Sequence, residues 1–431
     1  MLPLMSDLEF PNGFLWGTAT AAHQVEGDNT NSDWWAFENS PGSPCKEPSG
    51  AAIEHYKRYP SDIALLAGLG FNTYRFSVEW ARIEPEEGRF DPAQLAHYRQ
   101  MVDLCLRSKL TPMVTLHHFT LPQWVAAKGG FMWPGIAGLL ERYTRKVVET
   151  LGDRVSWYCT VNEPGMVAFG GYAGAFPFPP GLRGVKNWQT ATANLCASHR
   201  AMLAAIKELR PHAKAGLTNA MQEWDANAGG RPIMDYAAHW MEDVYLEAAR
   251  DDDFVGVQTY TRACFNLPRI VGPISRAALA VGPLQRFLVN RVLAWERQSG
   301  RAGTEPCERV TQMGYEYRPQ AVAACVRRAA KLLPGKPIVV TENGIATADD
   351  EQRIEFITDA LRSLHPIVAD GIPLQGYIYW SGFDNFEWAS GYAMQFGLIG
   401  VDRRTQERTI KPSGRFLGDV ARANRLRLPE S

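Results

Sequence analysis

Eight short runs of apolar and β-branched residues recur along the chain, at 14–20, 73–80, 112–119, 156–163, 214–219, 254–260, 337–342 and 375–381. Between many of them the apolar positions change period. Leu95, Tyr98, Val102 and Leu106, and likewise Ala201, Ala204, Ala205 and Leu209, repeat every three or four residues, the spacing of one helix face. Eight strands alternating with helices predict an α/β fold, a single (β/α)8 TIM barrel. No Gly/Ser-rich linker or shift of composition divides residues 1–431, so one domain is expected. The longest uncertain connection is an excursion over about 262–318, after the sixth strand. Its middle, 270–295, is apolar, with Arg269, Arg276, Arg286 and Arg291 at its edge and within it. The reading preferred for it is packing on the barrel rim; a lid, an oligomer contact and a membrane-surface helix are the alternatives.

In a barrel of this kind reactive groups sit at the carboxyl ends of the strands. Two strand ends carry an acid followed by a breaker: Thr160-Val161-Asn162-Glu163-Pro164 and Thr341-Glu342-Asn343-Gly344. A buried strand that ends in a loop with a carboxylate at its tip has this pattern. Taken singly, each acid reads equally well as a strand-end partner in an ion pair. Two of them on one rim point instead to the paired carboxyl groups that flank a glycosidic bond during hydrolysis. The pattern alone does not say which acid attacks and which donates the proton. His118, Tyr260 and Trp380 also fall at strand ends.

The bulk composition narrows the remaining classes. Lys and Arg total 45 against 46 Asp and Glu, which leaves no basic footprint for nucleic acid. The first residues lack a basic segment leading into a long apolar run, and no stretch of about 18 apolar residues follows, so neither a signal peptide nor a membrane span is expected. Seven cysteines are scattered without a C-x-x-C pair, the usage of a reduced, cytoplasmic protein. Phosphate-binding and dinucleotide-binding glycine motifs are missing, and no cofactor is expected. His117 and His118 are adjacent on a strand, so they face opposite ways and cannot chelate one metal ion together.

Nearly the whole chain resembles family 1 of the glycoside hydrolases, the β-glucosidase and β-galactosidase group. The resemblance begins with Phe14-Leu15-Trp16-Gly17-Thr18-Ala19-Thr20 and its continuation to Gly27. It runs through Arg75-Phe76-Ser77, His118 and the two acid motifs, then Trp380-Ser381-Gly382-Phe383-Asp384-Asn385-Phe386-Glu387-Trp388 and Phe396-Gly397-Leu398. It implies a retaining exo-β-glycosidase acting on small terminal β-glucosides, with galactosides and fucosides as further substrates. Glu342 is then the nucleophile and Glu163 the acid/base. Arg75 is the cation expected to lower the pKa of Glu342, and Tyr260 donates to the same carboxylate. Gln24, His118, Asn162 and Glu387 are the implied sugar-hydroxyl partners, and Trp380 and Trp388 the aromatic platform. Glu387 disfavours a 6-phosphosugar, because a carboxylate repels phosphate.

Several positions depart from that family pattern. Phe119 stands where a Trp is usual and removes an indole donor. Gln258 replaces an Asn, offering its amide one carbon farther out. Gly165 replaces a Trp that walls the leaving-group side, so a wider pocket is expected there. Glu79 reads as a structural acid paired with Arg82 or another nearby base, and Trp34-Trp35 as packing. A transglycosylase on the same frame and a sugar-binding barrel without catalysis are the competing readings. Oligomeric state, homo-oligomer included, is left open.

Overall fold

The computed structural model describes residues 7–299 and 309–427. Eight parallel strands close into a barrel: β1 (Leu15–Thr20), β2 (Thr73–Ser77), β3 (Thr111–His117), β4 (Trp157–Asn162), β5 (Lys214–Ala220), β6 (Val255–Thr259), β7 (Ile338–Asn343) and β8 (Leu374–Trp380). Each strand pairs with the next in sequence, and β8 returns to β1 through Tyr377 opposite Trp16 and Trp380 opposite Ala19. The strands fall where the apolar runs predict them, because a strand with both faces covered reads as a near-continuous hydrophobic run.

The barrel interior is solid. Met113, Trp157, Cys159, Phe254, Val339 and Ile378 form one buried cluster inside it, with Ala19, Trp380 and Phe396 above. That filling makes a floor, so anything binding at the carboxyl-terminal rim enters and leaves on one side.

The helices agree with the periodicity in place but not always in phase. Helix Pro92–Arg107 buries Leu95, Tyr98 and Val102, but Cys105 continues the inner face and Leu106 is exposed. In helix Val185–Leu209 the inner face runs through Leu195, His199, Met202 and Ile206, and Ala204 faces solvent. An alanine satisfies either face of a helix, so it carries little phase information.

The excursion after β6 contains strand Arg262–Phe265, paired with Glu223–Ala226, then helices Val271–Leu279 and Gly282–Ser299. This helix pair packs against helices Arg231–Ala238 and Val185–Leu209 at the rim. Its outer face exposes Ile270, Ile274, Leu284 and Phe287. No helix among the described residues is long and apolar enough to cross a membrane.

Gly17 marks how tightly the barrel is closed. A Cβ there would lie 2.3 Å from the Thr73 carbonyl oxygen on the neighbouring strand. We expect Gly17→Ala to cost about 1–3 kcal/mol through overpacking, seen as a lower midpoint in chemical denaturation. An unchanged midpoint would show that the β1–β2 contact relaxes freely.

Candidate active site

The two acid-bearing strand ends are also where the barrel register breaks. The β4–β5 pairing shifts between Cys159 and Asn162, and the β7 pairings shift between Val340 and the residues after it. Such irregularities re-aim side chains at a rim. At Glu163 the chain enters a left-handed conformation, φ 44°, before Pro164 opens a short helix. Its N–H donates to the Thr218 carbonyl at 2.8 Å, which pins this turn to β5.

Arg75 rises from β2 into the centre of the rim and is 1% exposed. Its Nη1 donates to Glu342 Oε1 at 2.6 Å and its Nη2 to Asn162 Oδ1 at 2.5 Å. Tyr260 Oη donates to the second oxygen, Glu342 Oε2, also at 2.6 Å. Asn162 Oδ1 further accepts from Gln258 Nε2 and Thr218 Oγ1, so its oxygen is fully engaged. Its Nδ2 lies 3.2 Å from His118 Nε2.

Glu163 and Glu342 share this desolvated pocket but differ in partners. Burial, then the charge of Glu342, pushes Glu163 well above the usual carboxylate range, and Arg75 only partly offsets this. Glu342 is also raised, by burial, while Arg75, Tyr260 and Gln258 pull it back. The sequence reading expects a net lowering from Arg75. The correction is that desolvation outweighs the cation, whose effect is to hold Glu342 below Glu163.

A third carboxyl group, Glu387, lies beyond β8. Burial, then Glu342, pushes it up to about 8, against hydrogen bonds from Trp380 and Gln24. Gln24 Nε2 lies 3.4 Å from Glu387 Oε2 and donates more closely, at 2.7 Å, to the Phe386 carbonyl. Trp380 and Trp388 both stack near the His118 ring, at 5.9 and 6.2 Å. All ten residues singled out at the strand ends and in the flanking motifs line one cavity of about 790 Å³ or, like Arg75, lie directly beneath it. Gln24 Oε1, His118 Nδ1 and Gln258 Oε1 are buried there without a hydrogen-bond partner. His117 points away and packs on Phe131, where burial lowers its pKa to about 3.

Two sequence-based expectations need correction, and two gain detail. Gly165 does not widen the pocket: a Cβ there would lie 2.3 Å from the Met241 carbonyl oxygen, so this position faces packed backbone. Trp34 is packing, as expected: it is fully buried in the core at the cavity's edge, with its ring 4.6 Å from that of Trp388. Glu79 is structural, but it takes the Ala81 N–H and the Thr120 hydroxyl, while Arg82 pairs with Glu26 at 2.9 Å. The excursion packs on the rim as expected, and its last part also brings Met313 and Tyr315 to the cavity. Phe119 lines the cavity as an apolar wall against Trp388 and Phe178, as its side chain implies. No local signal marks Met313 or Tyr315, because the loop that carries them is placed by long-range contacts such as Gln312 N–H to the Ala346 carbonyl.

The family model for glycosyl hydrolase family 1 matches residues 6–261 and 246–426. The chain belongs to that family. It is 30% identical to β-glucosidase A of Thermotoga maritima, covering 98% of this chain and 100% of that protein. It is 32% identical to a bifunctional β-D-glucosidase/β-D-fucosidase of Bifidobacterium breve, covering 95% of this chain and 98% of that protein. A solved β-glycosidase from Pyrococcus horikoshii superposes with a TM-score of 0.85 at 33% identity, covering 98% of this chain and 97% of that one.

The Gly165 contact gives a test of how the turn at Glu163 is held. Gly165→Ala must push either that turn or the Met241 backbone aside. We expect kcat on alkyl β-glucosides, whose poor leaving groups need a well-placed proton donor, to fall at least about tenfold. Activated aryl glycosides should be affected less. Equal losses on both would mean that the contact does not position Glu163.

Proposed function

We propose that this protein is a retaining exo-β-glycosidase that removes terminal β-D-glucosyl residues from small glycosides and also accepts fucosyl or galactosyl residues. The observation that carries this reading is the asymmetric pair of buried carboxyl groups. Glu342 has both oxygens held by the cation Arg75 and the hydroxyl of Tyr260, whereas Glu163 shares the pocket without a salt-bridge partner among the described residues. An acid held by donors is suited to ionise and attack; an acid left to desolvation is suited to keep its proton.

In this reading a Glu342 oxygen attacks the anomeric carbon while Glu163 gives its proton to the glycosidic oxygen, and the leaving group departs as a neutral alcohol. Forming the glycosyl ester removes the negative charge of Glu342. The repulsion that holds the proton on Glu163 then falls, and Glu163 becomes the base for the second step. Water gives a proton to Glu163 and adds its oxygen to the anomeric carbon, and Glu342 leaves as carboxylate. Arg75 and Tyr260 steady that charge at the start and end of the cycle.

The sugar-binding part of the proposal rests on the partnerless buried atoms. Gln24 Oε1, His118 Nδ1 and Gln258 Oε1 would meet sugar hydroxyls, the Asn162 amide the 2-hydroxyl, and Trp380 and Trp388 a C–H face. Glu387 beside Gln24 reads the hydroxyls farthest from the reacting carbon. The Bifidobacterium relative, named for both glucosidase and fucosidase activity, supports tolerance at the 6-position. The unbridged buried thiols of Cys105, Cys159, Cys196 and Cys325 fit a reducing, cytoplasmic location.

Initial rates on p-nitrophenyl glycosides test the assignment. The β-glucoside and β-fucoside should be cleaved, the α-glucoside and 6-phospho-β-glucoside left intact, and the β-anomer of the sugar should appear first by NMR. Prompt release of the α-anomer would overturn retention. The pH profile tests the roles: activity should rise as Glu342 ionises and fall, above the ordinary carboxylate range, as Glu163 loses its proton. Glu163→Gln should abolish that alkaline fall on activated aryl glycosides and cost about 10²–10⁴-fold on poor leaving groups. A fall that persists in the variant would belong to another group.

A further inference from the structure

The two ends of the cavity differ in chemistry. At the floor the polar groups converge, and three buried polar atoms lack partners. Toward the mouth the wall is built of aromatic rings in a continuous series. Trp388 meets Trp34 at 4.6 Å, Trp34 meets Phe178 at 5.1 Å, Phe178 meets Phe176 at 6.1 Å, and Phe176 meets Phe169 at 6.2 Å. Met166 and Phe169 follow Glu163 on the same helical segment, so they lie on the side from which a departing group takes its proton. Met221, Met241 and Met313 add three flexible thioether side chains to the lining.

This wall is preformed. The Ala175 N–H donates to the Phe169 carbonyl at 3.1 Å, the Leu182 N–H to Gly171 at 2.9 Å and the Gly184 N–H to Ala173 at 3.2 Å. These bonds fold the loop after β4 back on its own helix, with Trp34 fully buried and Phe178 nearly so. Beyond the floor, Gln222 Oε1 and Trp34 Nε1 are the cavity-lining polar atoms buried without a partner among the described residues, and Arg183, Thr261, Tyr315 and Ser390 are the other polar side chains in that part of the lining.

From this we infer that the leaving-group half of the pocket selects a bulky apolar alcohol or phenol in preference to a second sugar. The inference rests on the reading of Glu163 as acid/base and says what that residue protonates. A second sugar would bring several hydroxyl groups against rings and thioethers, and each hydroxyl stripped of water without a partner weakens binding. An alkyl, aryl or polycyclic group would instead bury its surface against them, and the methionines can adapt to its shape.

The test uses the wild-type enzyme and three n-alkyl β-glucosides, methyl, butyl and hexyl, against cellobiose. The alkyl leaving groups differ little in basicity, so their rates report contact with the wall. Full burial of one methylene is worth about fourfold; partial burial should still raise kcat/KM at least about tenfold from methyl to hexyl. Hexyl glucoside should also exceed cellobiose, although its alkoxide is the poorer leaving group. A flat alkyl series, or cellobiose ahead of hexyl, would overturn the inference while p-nitrophenyl β-glucoside cleavage left the glycosidase reading standing. Failure on every β-glucoside, aryl included, would overturn the glycosidase reading itself. Phe176→Ser and Met313→Ser should each lower the hexyl-to-methyl ratio severalfold, a quantity independent of how much enzyme is folded.

Discussion

One buried guanidinium organises the rim of this barrel. Arg75 leaves β2 and meets Thr115 on β3, Asn162 on β4, Thr218 on β5, and the Thr341 carbonyl and Glu342 carboxylate on β7. A planar fork with five donors can reach that many acceptors at once, which an ammonium group cannot. The cation is stable in the interior only because the closed sheet brings these acceptors to it. Loss of Glu342, the charged partner, would leave the cation uncompensated, commonly at a cost of about 3–5 kcal/mol. Barrel closure and catalytic geometry are therefore one constraint.

The same network explains how three glutamates in one pocket can differ. Burial raises Glu163, Glu342 and Glu387 alike. What separates them is the number of donors each receives. Glu342 has a cation and a phenol, Glu387 an indole and an amide, and Glu163 depends on its neighbours' charges. The turn that carries Glu163 is fixed through backbone contacts, to Thr218 on one side and through Gly165 against Met241 on the other. Polar side chains set the chemistry, and the backbone sets where it happens.

The barrel was legible because its strands are buried on both faces, and at Glu163-Pro164 and Asn343-Gly344 a breaker also marks the boundary. The inner rim was legible for a related reason: a strand end points its residues at the mouth whatever the loops do. Elsewhere local pattern was insufficient. The burial of Cys105 in place of Leu106 depends on where helix Pro92–Arg107 rests against the barrel. Gly165 was misread because its contact with the Met241 backbone is a long-range one that the local sequence does not mark. Trp34 reads as packing and is fully packed. Met313 and Tyr315 arrive at the site from the far end of an excursion, on a stretch outside the barrel strands.

The packed floor beneath Arg75 has a consequence for traffic. With Met113, Cys159, Val339 and Ile378 filling the barrel below, the proposed reading puts the sugar at the closed end and the alcohol toward the opening. Release is then ordered like a queue: the alcohol must clear the aromatic corridor before water enters and before the sugar can depart. An alcohol that lingers among those rings stands where the water must stand, and is placed to take the sugar back.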